Sequence, residues 1–95
     1  MAAQLSKAEM DQVATITNSR YRLQVARALL DGHKTPSGIV EFLDTDAEIA
    51  HISRAVQELR DDDITELLVP EERQKGRIYG LKDGVEPIAT AALEM

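Results

Sequence analysis

The chain has no cysteine and no tryptophan, only one phenylalanine and two tyrosines. Without cysteine there is no disulfide framework, no thiolate nucleophile and no thiolate metal ligand. With so few aromatics, a core has to be assembled from Leu, Ile, Val and Ala. Two histidines, His33 and His51, are the whole supply of imidazole, and no glycine-rich phosphate loop is present. These absences argue against an enzyme and against a bound cofactor or metal. No apolar run approaches the ~18 residues of a membrane span. The first ten residues lack the basic-then-apolar layout of a signal peptide. A cytoplasmic protein with no membrane partner is the expectation.

What is present fits one small domain of 95 residues, large enough for a core but helped by a partner subunit. The net charge of −6 at first opposes a nucleic-acid partner. Its distribution says more than its sum. Residues 18–40 carry Arg20, Arg22, Arg27 and Lys34 against Asp31 alone, and residues 67–82 carry Arg73, Lys75, Arg77 and Lys82 against Glu71 and Glu72. Between them, residues 41–66 are strongly acidic, with only Arg54 and Arg60 as bases. Two basic segments thus flank an acidic centre. An acidic remainder is also the composition of a protein adapted to a very salty cytoplasm.

The central segment, 45–60, carries the clearest pattern. Ile49, Ile52, Val56 and Leu59 are spaced three, four and three apart, one stripe on a helical period. Thr45 and Glu48 match a capping box at its start, so a helix over 46–61 is predicted, with the stripe in the core. Ala50, His51, Ser53, Arg54, Gln57 and Glu58 fall on other faces. Three aspartates at 61–63 oppose the helix macrodipole and mark its end. Asp63 is placed to take the left-handed conformation that usually calls for glycine.

Before it, Ser6 and Glu9 form another capping box, with Leu5 and Met10 as a hydrophobic staple, predicting a short helix from about 7 to 14. Asn18 and Ser19 can cap a helix over 20–30 with a wide apolar face, ended by Asp31 and Gly32. Thr35 followed by Pro36 is a strong start for a helix reaching Leu43, in which Gly38 would admit the close approach of another backbone. After it the period changes: 64–69 and 77–81 read as strands joined by a polar loop at 70–76. A last helix opens after Asp83, with Pro87 in its first turn.

Three helices followed by a two-stranded hairpin is the layout of a winged helix-turn-helix. The fold class expected is therefore α+β, mainly α. A three-helix core with a hairpin wing occupies 18–82, with short terminal helices at 1–17 and 83–95. Segments 19–22 (SRYR), 34–37 (KTPS), 51–55 (HISRA) with 57–59 (QEL), 66–68 (ELL) and 76–79 (GRIY) resemble those of small archaeal winged helix-turn-helix transcriptional regulators of the MarR/ArsR-like type, especially from halophiles. That resemblance implies a homodimeric, nucleoid-associated transcription regulator.

In such a module the third helix enters the major groove of double-stranded DNA. Ala50, His51, Ser53, Arg54 and Gln57 would then face base edges: Arg suits guanine, Gln suits adenine, and Ala can touch a thymine methyl. A solvated helix face is the plainer alternative. Lys34, Thr35 and Ser37, at a helix start with free N–H groups, would hold phosphate, or simply cap the helix. Arg73, Gln74, Lys75 and Arg77 would set the wing at 70–76 on the DNA backbone or minor groove, or form an ordinary solvated hairpin tip. Of Arg20 and Arg22, one would reach phosphate while the other pairs with a carboxylate. Asp61, Asp62 and Asp63 could bind a hard cation, but consecutive residues point apart. Leu5, Met10, Val13, Ile16, Ile88, Ala92 and Leu93 would form a dimer interface, or pack within one subunit. An alternative function is a winged helix whose acidic segment docks on a basic protein of the transcription machinery.

Overall fold

The computed structural model describes residues 5–94. It is mainly helical, with one small two-stranded antiparallel sheet. The elements are α1 (Lys7–Thr17), α2 (Arg20–Asp31), α3 (Pro36–Leu43), α4 (Ile49–Asp61), β1 (Thr65–Leu67), β2 (Tyr79–Leu81) and α5 (Glu86–Leu93). Among the described residues no helix is long and apolar enough to cross a membrane.

Local chemistry sets most of the helix starts. Ser6 Oγ accepts from the Glu9 N–H at 3.1 Å while Glu9 Oε1 accepts from the Ser6 N–H at 2.8 Å, closing the expected capping box of α1. α1 continues to Thr17, a turn beyond the sequence expectation, because Val13 and Ile16 are buried and the helix packs along α5 and α2. Tertiary burial sustains a segment that propensity alone would let fray. Ser19 caps α2 through the Arg22 N–H, and Thr35 caps α3 through the Gly38 N–H at 3.0 Å. The space beside Gly38 is taken by Thr35 Oγ1 and Lys34 Cβ, not by a second backbone, so the expected close approach is corrected.

α4 begins at Ile49, later than expected, and the capping box of Thr45 and Glu48 does not form. The Thr45 hydroxyl instead accepts from the nearer Ala47 N–H at 3.3 Å, a local turn that competes with helix. Glu48 is the N-cap by backbone alone. The far end follows the expectation. Asp63 is left-handed at φ 61°. Its N–H donates to Arg60 O, and the Ile64 N–H donates to Leu59 O at 2.9 Å. These are the paired bonds of a Schellman stop, with Asp in the glycine position. Ile64 and Leu59 are both fully buried, which supplies the apolar contact that accompanies the motif.

α2 is the central element, touching α1, α3, α4, α5 and β2. Its buried Val25, Ala26, Ala28 and Leu29 meet Ile39 of α3 and Ile52, Ala55, Val56 and Leu59 of α4 in one core. The strands are shorter than expected and pair Thr65 with Leu81, Glu66 with Gly80 and Leu67 with Tyr79. Thr65 is buried and donates its hydroxyl to Val56 O at 3.1 Å, fastening the sheet to α4. Lys34 and Tyr79 exchange both backbone hydrogen bonds, at 3.0 and 2.9 Å. That bridge ties the α2–α3 turn to the hairpin.

Candidate nucleic-acid interface

Three parts of the fold border one groove of about 500 Å3: the start of α3, one flank of α4 and the loop of residues 70–76. Thr35 and Ser37 line it from α3, Ile49, Ser53 and Gln57 from α4, and Gln74 and Gly76 from the loop. A helix turns roughly 100° per residue, so the faces of α4 can be assigned. Ile52, Ala55, Val56 and Leu59 are buried. Ala50, Arg54 and Gln57 lie opposite and are exposed. Ile49 and Ser53 take the flank toward the groove. His51 takes the other flank, where its ring stacks on Tyr21 of α2 with centroids 5.1 Å apart.

The five residues expected to face bases therefore fan across about half of the helix surface. Among the described residues Arg54 has no ion-pair partner. Gln57 donates its amide to the Asp61 carboxylate at 3.3 Å. Ile49 is a correction: the sequence stripe put it in the core, yet it is 51 % exposed. It sits on the first turn, at the edge of the stripe, and opens onto the groove.

The loop is folded on itself. The Arg73 N–H donates to Pro70 O, and Arg73 Nε donates to Lys75 O, both at 3.0 Å. Arg77 donates Nε to Arg73 O at 2.9 Å and Nη2 to Glu71 O at 2.9 Å and Glu71 Oε2 at 3.1 Å. Gly76 takes the positive φ of 64° that the turn requires. The other carboxylate oxygen of Glu71 accepts from Arg60 in the last turn of α4. The hydrogen bond from Arg60, and then the charges of Arg60 and Arg77, hold the Glu71 carboxyl below the ordinary glutamate range. The same bond raises Arg60. Arg73, Gln74 and Lys75 remain exposed at the loop tip.

Two expected phosphate ligands are otherwise engaged. The Lys34 ammonium lies 2.8 Å from the Asp31 carboxylate and 4.5 Å from the centre of the Phe42 ring, with 13 % of its side chain exposed. Arg77 is spent on shaping the loop. Arg22 is half-buried, and its Nε has no hydrogen-bond partner among the described residues. Arg20 shares a polar depression with Asp44, Thr45 and Asp46. Thr35 is committed to capping, and its hydroxyl is also 3.3 Å from the exposed Ser37 hydroxyl. Among the described residues no three His, Cys, Asp or Glu side chains converge as a metal site would need.

Of the two expectations for the terminal helices, packing within one subunit accounts for most of the set. Val13, Ile16, Ile88 and Ala92 are buried within the single subunit, because α1 packs on α5. Leu5 and Leu93 are half-buried, and Met10 alone of the set is well exposed, at 60 %. Leu5, Met10, Ala14 and Thr17 line a mostly apolar groove beside Ala91 of α5.

Sequence reasoning did not find the Arg60–Glu71–Arg77 cluster, the Lys34–Tyr79 bridge or the Tyr21–His51 stack. Each joins residues from different elements, and no periodic signal reports such pairs. Compared with known protein families, with curated proteins and with solved structures, the chain matches none.

Proposed function

We propose that the chain is a DNA-binding transcriptional regulator built as a winged helix-turn-helix. In this reading α2, α3 and α4 are the three-helix core and the β1–β2 hairpin is the wing. One observation carries the reading: the start of α3, one flank of α4 and the hairpin loop border the same groove. A recognition helix flanked by two backbone-binding elements needs that arrangement. The major groove, about 12 Å wide, admits a helix. Arg54, Gln57 and Ala50 then reach base edges, with Ser53 and His51 on either flank. Ser37 and the loop residues Arg73, Gln74 and Lys75 meet phosphates. A second copy docking at Met10 and Leu5 would match a two-fold site.

A specific observation favours a second reading. Glu48, Glu58, Asp61 and Asp62 are exposed on or beside α4, and such a surface suits a basic protein partner. Titration with duplex DNA across a salt series separates the two. DNA binding requires affinity that falls as salt rises. No binding at low salt, with circular dichroism showing the fold intact, selects the protein-docking reading.

A further inference from the structure

Among the described residues four large hydrophobic side chains are well exposed: Met10, Phe42, Ile49 and Leu68. A single exposed aliphatic is ordinary, but Ile49 differs from the other three in its place. It alone of the four lines the groove between α3, α4 and the loop. It stands on the first turn of α4, the part of a recognition helix that reaches deepest toward bases. Its groove neighbours include the polar Ser37, Ser53, Gln57 and Gln74 together with Pro36 and Tyr79, so it adds exposed apolar surface to a wall of mixed character. Ala50 follows it, exposed and too small to screen it.

The major groove of DNA offers one apolar feature, the C5-methyl group of a pyrimidine. An isoleucine held there loses water only against such a methyl; against cytosine or uracil it faces a polar or bare edge. We infer that Ile49 is a specificity-determining residue that reads a pyrimidine C5-methyl group in the bound duplex. This rests on the DNA-binding reading of α4 and adds to it a ligand feature carried by no hydrogen bond. Thymine and 5-methylcytosine present the same methyl, so both are substrates of the contact.

The experiment uses the full chain and a duplex selected by the wild-type protein from a randomised library. Each thymine of that duplex is replaced in turn by deoxyuridine, which removes the methyl alone. Wild-type protein is expected to lose roughly three- to fivefold in affinity at one or two positions, the effect of exposing one methyl-sized group. Ile49→Ala should bind the thymine and deoxyuridine duplexes equally at those positions, and Ile49→Val should keep part of the difference. At the same position, a C·G pair should regain affinity when its cytosine is methylated at C5. Equal wild-type affinity for thymine and deoxyuridine throughout, or a thymine preference undiminished in Ile49→Ala, overturns the inference. If salt-dependent binding and an Arg54→Ala defect persist in that case, the DNA-binding reading stands without it. If no duplex is selected and none binds at low salt, the DNA-binding reading itself fails.

Discussion

Arg60, in the last turn of α4, donates to the carboxylate of Glu71, in the loop between the strands. The two are eleven residues apart, and their pairing fixes the loop to the helix whose outward side carries Arg54. Arg77 completes the arrangement from the other side of Glu71. If α4 reads bases and the loop meets backbone, Glu71 sets the angle between them. Glu71→Gln should therefore weaken DNA binding on all sequences alike while leaving the thermal midpoint nearly unchanged, since exposed ion pairs add little stability. Faster amide exchange confined to residues 70–77 would accompany it. Unchanged exchange there would show that the backbone hydrogen bonds of the loop suffice without the carboxylate.

The same carboxylate predicts a pH dependence with a definite sign. Its folded pKa lies below the ordinary value because Arg60 hydrogen-bonds the charged form. A depressed acid contributes its stabilisation above the unfolded pKa and loses it as pH falls through the folded one. The loop anchor is thus complete at neutral pH and weakens only on acidification below the usual glutamate range. Carboxyl-detected NMR titration should place Glu71 below the free amino-acid side chain. A midpoint at or above that of free glutamate would contradict the pairing.

Asp63 closes α4 in the left-handed region at φ 61°. The conformation costs a side-chain-bearing residue about 1 kcal/mol or more, though Asp tolerates it better than most. Its ion pair with Lys82, at 3.1 Å, is solvent-exposed and contributes little. Asp63→Gly relieves the strain but adds freedom to the unfolded chain. The expected net is a gain of roughly 0.5 kcal/mol by urea unfolding. A loss would mean that the Lys82 pair outweighs the backbone strain.

What could be read from the sequence was local. Ser6, Ser19 and Thr35 each bond an N–H three residues on, so their side chains announce the helices they cap. Asp63 was legible for the same reason: an acidic helix end followed by buried Ile64 has one economical stop. The start of α4 was not, because Thr45 had two N–H groups within reach and took the nearer. Ile49 fitted the apolar spacing, but spacing records angle and not whether a neighbour is there to cover it. At the site, the outward direction of Arg54 was legible, since it follows from the buried stripe. The engagement of Lys34 by Asp31 and Phe42, and of Arg77 by Glu71, was not. Charge counting registers a cation without its partner.

Gly80 pairs with Glu66 in the sheet, and a Cβ there would lie 2.6 Å from His33 Cδ2 and 3.0 Å from Leu68 Cδ1. Overpacking of this kind typically costs 1–3 kcal/mol. His33 is exposed and can swing aside, so Gly80→Ala should cost about 1 kcal/mol, at the low end of that range. In a His33→Ala background the cost should fall by at least ~0.5 kcal/mol, the size of a contact coupling. Additive losses would place the strain on Leu68 instead.

Met10 carries the dimer proposal now that Val13, Ile16, Ile88 and Ala92 are accounted for inside one subunit. Met10→Glu should leave the fold intact, because the side chain is exposed, and should shift sedimentation toward the monomer. DNA binding would then lose its steep dependence on protein concentration. A wild-type protein that sediments as a monomer at the concentrations where it binds DNA would end the proposal.

Three cations test the proposed interface. Arg54 is exposed on the outward side of α4 without an ion-pair partner among the described residues, so Arg54→Ala should cost about 1–3 kcal/mol on the preferred sequence and relax preference at one base pair. Lys75 stands at the loop tip, so Lys75→Ala should weaken all sequences alike and lower the salt slope by about 1. By sequence Lys34 is a further candidate phosphate ligand, yet its ammonium is bound to Asp31 and covered by Phe42. Lys34→Ala should leave the salt slope unchanged and lower stability by roughly 0.5–1 kcal/mol through the lost cation–π contact. A Lys34→Ala protein whose salt slope falls as far as that of Lys75→Ala would show that the ammonium leaves Asp31 for phosphate on binding.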